Sequence, residues 1–229
     1  MPGCARFPAG RAPAVSARAA DTGALRSGIA IEWWTMGWMT VEAVVSLGAG
    51  GAAGSVALVA FGADSVIELI SAGVLLRRLG LEQAGGSASS VETVERRAAA
   101  VVGGLLFALA LWVVASTGRD LLVRARPETS LAGLLLAAAS SVVMPWIVAT
   151  KRRVATRIRS AALKADAACG IVCAYMAVTL LIGLGLRALF GWWWADPLAA
   201  LGIVYFILRE GWEAIEAARG RTDGCGCRD

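Results

Sequence analysis

Two short runs hold side chains that are costly in an apolar helix and useful to a metal ion. They are Phe61-Gly-Ala-Asp64-Ser-Val-Ile-Glu68 and Ala165-Asp166-Ala-Ala-Cys169-Gly-Ile-Val-Cys173. Each places two metal-capable groups four residues apart, on one helix face and one turn from each other. Asp166, three residues before Cys169, joins the second face. Two carboxylates and two thiolates can complete a tetrahedral set of donors around one ion. A cysteine alone in such a setting is a small apolar residue, and two acids alone can be an interhelical hydrogen-bonded pair. The two matched pairs together favour ligation. The chain has no histidine, which excludes Ser-His-Asp and Cys-His catalysis and any imidazole metal site. With no nucleophile–base pair in view, an enzyme is not expected.

The elements that must position these groups are membrane helices. Hydrophobic residues make up 58% of the 229 and charged residues 17%, with a mean hydropathy of +0.67. A soluble domain carries nearer a quarter charged residues. Six apolar stretches approach the roughly 20 residues that a bilayer core requires: 33–49, 55–76, 98–117, 131–149, 162–187 and 195–217. Glu42 lies in the first, Asp64 and Glu68 in the second, Asp166, Cys169 and Cys173 in the fifth. Since unpaired backbone is excluded from lipid, the expectation is an all-α membrane protein, a bundle of six transmembrane helices. The domain boundaries expected are an unstructured tail over 1–27, the bundle over 28–217 and a short Cys-containing tail over 218–229.

The charge of +5 reports topology rather than nucleic-acid binding. Basic residues punctuate the apolar runs and make no continuous face. Alternate segments carry Arg6, Arg11, Arg18 and Arg26, then Arg77, Arg78, Arg96 and Arg97, then the run from Lys151 to Lys164, then Arg209, Arg219, Arg221 and Arg228. The other segments have only Arg119, Arg124, Arg126 and Arg187. By the positive-inside rule both termini are cytoplasmic. Trp33, Trp34, Trp146 and Trp212 fall at cytoplasmic span ends and Trp192 to Trp194 at an outer one, as interfacial anchors do. Residues 1–27 lack the apolar core of a secretory signal. A bacterial inner membrane is the expected location. Gly48, Gly50, Gly51 and Gly54 mark a tight outer turn, with Ser55 capping the second helix. Asp196-Pro197 opens the sixth, and Pro145, which removes a backbone donor, is expected to kink the fourth.

An ionisable group in mid-membrane costs at least about 2.5–3.5 kcal/mol on insertion scales, so each needs a reason. At about 1.5 Å per residue, Cys169 and Cys173 lie about 10 and 16 Å from the cytoplasmic end of span five. Across a core of about 30 Å, Glu68 and Asp64 fall at matching depths in the antiparallel span two. Linear counting therefore puts Asp64 level with Cys173 and Glu68 level with Cys169.

The run from Ala53 through Asp64 to Glu68 resembles the second span of the cation diffusion facilitator (cation efflux) family. The runs Ala165 to Leu184 and Trp194 to Ala200 resemble its fifth and sixth. The likeness extends over about 30–217. It implies a six-helix exporter of divalent metals, usually zinc, that exchanges them for protons. The family's site takes two acids at i, i+4 from span two and His-x-x-x-Asp from span five. By position this implies Asp64, Glu68, Cys169 and Cys173 here, with Glu68 where Asp is usual, Cys169 for His and Cys173 for Asp. The family's C-terminal cytoplasmic domain has no counterpart in the dozen or so residues after the last helix, so a short member is expected, any homodimer forming between the helices.

Thiolates favour zinc or cadmium over magnesium or manganese, with cobalt also admissible. Four ionised donors around a divalent ion would leave −2 in low dielectric, so at least one should keep its proton. Metal entry then expels protons and protons expel metal. Glu42 and Asp166 are expected around the donors, and Cys225 and Cys227 could load metal from the cytoplasmic tail. Two other readings remain open: a proton-coupled organic-cation exporter using Asp64 and Glu68, and a membrane metal-binding or regulatory protein without flux.

Overall fold

The computed structural model describes residues 14–83, 88–158 and 161–219. Its helices are α1 (Ala14–Ala53), α2 (Val56–Gln83), α3 (Ala88–Val123), α4 (Leu131–Ile158), α5 (Ala161–Phe190) and α6 (Ala195–Ala218), and no strand occurs among the described residues. Each matches one expected span. The first four run on past it at the basic end by about two turns or more. Lipid thickness limits the apolar run, not the helix, and the Ala, Leu, Arg and Glu that follow are good helix formers. The same reasoning accounts for the start of α1 at Ala14, inside the stretch expected to be an unstructured tail. Its sequence Ala-Val-Ser-Ala-Arg-Ala-Ala favours helix, while residues 1–13 lie outside the described set. α4 passes through Pro145 without a break.

The helices close into a ring. α3 packs along α6, α6 on α5, α5 on α4, α4 on α1, α1 on α2, and α2 on α3. α2 also touches α5 and α6, so the helix that carries both acids is drawn inside the ring. One contact makes this possible: a Cβ on Gly62 would stand 2.8 Å from the Ser46 Cβ of α1. Glycine alone lets the two backbones approach so closely two residues before Asp64.

Polarity runs from inside to outside. Glu32, Glu42, Ser46, Asp64, Ser65 and Lys151 are buried, while Leu111, Leu135, Val142 and Leu189 face outward and are exposed. A bundle solvated by lipid needs this arrangement. Four helices, α2 to α5, are long and apolar enough to cross a bilayer. α1 and α6 have the length, but Glu32, Glu42 and the tryptophans dilute one, and Arg209, Glu210 and Glu213 the other. Trp33, Trp34, Trp146 and Trp212 are all more than half exposed, the disposition of an interfacial belt.

At the outer end the turn Gly54-Ser55 is fixed by a positive φ of 67° at Gly54. The Leu58 amide donates to Ser55 Oγ at 3.1 Å, and Ser55 Oγ in turn donates to Asp196 Oδ1. The Ala57 amide points at Asp196 Oδ2 at 3.5 Å. Asp196 thus sits within the first turn of α6 and caps α2, a neighbour, rather than its own helix. The Glu128 amide donates to the Ala53 carbonyl at 2.7 Å, which ties the segment between α3 and α4 to the same corner. Asp196→Ala strips this buried cap. A loss of about 1–3 kcal/mol is expected, read as a lower midpoint of thermal unfolding in detergent. An unchanged midpoint would mean that the corner contributes nothing to stability.

Candidate metal site

Asp64 and Glu68 lie one turn apart on the inner face of α2, and Cys173 faces them from α5. A carboxylate oxygen of each acid and the Cys173 Sγ all lie within 4.8 Å of one another. Asp64 is 1% exposed and Cys173 2%. The Cys173 thiol donates to Glu68 Oε1. Two oxygens of the group, Asp64 Oδ1 and Glu68 Oε2, are buried with no hydrogen-bond partner among the described residues. Buried polar atoms are satisfied in the great majority of cases, so these two oxygens beside a thiol are exceptions that need a reason.

The register differs from the linear count by about a turn, since Cys173 bonds Glu68 rather than standing level with Asp64 alone. The reason is the tilt of the Cα–Cβ bond toward the helix N-terminus. α2 begins at the outer end, so Glu68 leans outward; α5 begins at the opposite end, so Cys173 leans the other way. The two side chains meet between their backbone levels, helped by the extra carbon of glutamate. The same tilt carries Cys169 away from the group. Cys169 is half-buried, its sulfur is engaged elsewhere, and it is not one of the converging donors.

The other expected residues divide. Glu42, on α1, is 1% exposed and accepts from Trp38 Nε1 at 2.8 Å. It is close enough to act electrostatically on Asp64 and Glu68, a place beside the donors. Asp166 pairs with Lys151 of α4, which also binds Glu32 of α1, and it too acts electrostatically on Glu68. Cys225 and Cys227 lie outside the described residues.

Sequence reasoning missed Glu210 of α6. It is 8% exposed, its Oε1 has no partner, and it acts electrostatically on Asp64, Glu68 and Cys173. A signal existed: Ile203, Ile207 and Glu210 form one buried stripe. Lys151 was missed in the same way, read as loop charge although Met144, Ile147, Val148, Lys151 and Ala155 share a buried face.

A lipid-facing ring of helices around a buried cluster of acids and a thiol defines a multi-pass membrane protein with a polar centre inside the bilayer. The chain belongs to the cation efflux transmembrane domain family, whose pattern it matches over residues 37–219. It is also 27% identical over 170 residues to the uncharacterized transporter sll1263 of Synechocystis sp. (strain ATCC 27184 / PCC 6803 / Kazusa). That match covers 73% of this chain and 55% of the relative, so the chain spans about half the length of the curated protein it matches.

Proposed function

We propose that this chain exports a divalent metal ion, zinc or cadmium before cobalt, from the cytoplasm in exchange for protons, across the inner membrane of a bacterial cell. One observation carries the reading: two oxygens and one sulfur from antiparallel helices converge within 4.8 Å, and two carboxylate oxygens there lack partners. Asp64, Glu68 and Cys173 are the donors. Cys169, the next sulfur along the same helix, stands apart from the three and becomes a fourth donor only where its sulfur is released and the bound ion draws it in. A thiolate in the set selects borderline and soft ions over manganese or magnesium.

Proton coupling follows from charge. Three ionised donors beside Glu42 and Glu210 would leave several uncompensated negative charges in a dry interior, which costs several kcal/mol per ion. In the metal-free state the cluster therefore holds protons, as the Cys173 thiol does in donating to Glu68. A divalent ion takes their place. The cycle needs no histidine.

The test is flux in sealed proteoliposomes with zinc, cadmium, cobalt, manganese and iron. Zinc or cadmium should move, protons should move the opposite way, and an imposed pH gradient should drive metal against its own gradient. Cys169→Ser/Cys173→Ser should lower cadmium flux at least tenfold. Metal movement without proton movement would end the antiport reading, and binding without flux would make the protein a metal-binding partner instead. Unaltered export after loss of both thiols would return the acids to organic-cation transport.

A further inference from the structure

Lys151 is an unusual cation. It lies on α4 at the end of the bundle marked by its basic loops, yet it is only 3% exposed. Its Nζ donates to Glu32 Oε2 of α1 at 3.1 Å and also to Asp166 Oδ2 of α5. Glu32 is fully buried, whereas the Asp166 side chain is 21% exposed. Three of the helices that enclose the donor cluster are thus joined by one ammonium.

Two features set this apart from a simple fastening. The first is stoichiometry: among the described residues one ammonium faces two carboxylates, so with both ionised one negative charge is left over. A divalent ion would match the pair, while a lysine only half-matches it. A buried ion pair contributes little net stability even when balanced, and this one is not balanced. The second is position. Asp166, Cys169 and Cys173 follow each other at i, i+3 and i+7, on one face of α5. Asp166 stands about 10 Å from the level of Cys173, at the water-reached end of that face. A cation moving from the basic end to Asp64, Glu68 and Cys173 along α5 meets the Lys151 ammonium first.

We propose that Lys151 is a tethered cation that occupies a two-carboxylate station, Glu32 and Asp166, on the cytoplasmic approach to the donor cluster, and that an entering metal ion passes by displacing it from Asp166. The proposal rests on the transport reading for its direction and deepens it. Lys151 is a positioning residue, since it never binds the ion. It makes entry a competition between the ion and a resident charge, which raises the concentration at which the site fills without altering the donors.

Lys151→Arg tests the displacement, because it keeps the charge and the fold while offering a two-pronged grip that is harder to displace. In proteoliposomes of the full chain, the half-saturating cadmium concentration should rise fivefold or more, with the maximal rate within twofold of the parent. A fastening alone predicts no change in half-saturation, and that result, or a fall confined to the maximal rate, overturns the displacement. Lys151→Met tests the closure. In a chain whose other cysteines are serine, alkylation of Cys173 by a soluble maleimide should quicken at least tenfold, and cadmium should suppress it. Unchanged alkylation overturns the proposal. Should the parent move no cadmium at all, the transport reading fails by itself, and the alkylation rates still decide whether Lys151 closes the approach.

Discussion

Glu68→Gln is expected to weaken cadmium binding by about 100-fold while raising the thermal midpoint of the metal-free protein. Opposite signs in the two states are what a binding site implies. In the metal-free chain Glu68 stands beside Asp64, also feels Glu42 and Asp166, and leaves Oε2 buried without a partner among the described residues. An amide of the same shape removes the repulsion and opens no cavity, and its NH2 group can donate to Asp64. The fold gains. With metal present the amide offers a neutral oxygen in place of an anionic one, and about 2.7 kcal/mol corresponds to the 100-fold loss. The ligand-induced rise in midpoint, which follows the ratio of free metal to Kd, should shrink accordingly. Thermal unfolding with and without cadmium, beside titration calorimetry, reads both signs. A destabilised metal-free variant would mean that Glu68 serves the fold, as one half of an interhelical hydrogen bond.

How much of this was legible before any coordinates depends on which physical signal each residue leaves. Asp64, Glu68 and Cys173 announce themselves, since an acid or a thiol repeated at i, i+4 in an apolar run has few other reasons to be there. The helices were legible for the same reason: lipid imposes long apolar runs. Register was less legible, because counting Cα levels ignores the tilt of side chains toward each helix N-terminus. This tilt joins Cys173 to Glu68 and leaves Cys169 behind. Glu32, Lys151 and Glu210 were obscured by their neighbours. Each lies at a span end beside residues that belong to the interface, such as Trp33, Arg152 and Arg209. Only the 3.6-residue stripe of burial separates Lys151 from Arg152, and this stripe must be read through the loop boundary rather than up to it. Asp166 was legible as a neighbour of the thiols by its spacing from Cys169, but its partner Lys151 on α4 is invisible to spacing within α5.

Cys173→Asp should invert metal preference, with cadmium and zinc weakened by about 100-fold and manganese strengthened, a change on the order of a thousandfold in the ratio. The sulfur is the one soft donor among the converging three, and softness rather than charge separates cadmium from manganese in a site of fixed geometry. Aspartate preserves the anion at that position, and its carboxylate reaches slightly further than the thiol toward Glu68 and Asp64. Three carboxylates then face the ion, a set suited to a hard cation. Competition between cadmium and manganese in the purified chain measures the ratio, and the ultraviolet sulfur-to-cadmium absorption should vanish in the variant. Cys173→Ser supplies the second comparison: it loses sulfur and charge together, so both metals should weaken. If Cys173→Asp kept its preference for cadmium, sulfur would have to reach the ion from elsewhere, and Cys169 carries the sulfur one turn away. Repeating the titration in Cys169→Ser/Cys173→Asp then shows whether that second sulfur completes the donor set or stands apart from it.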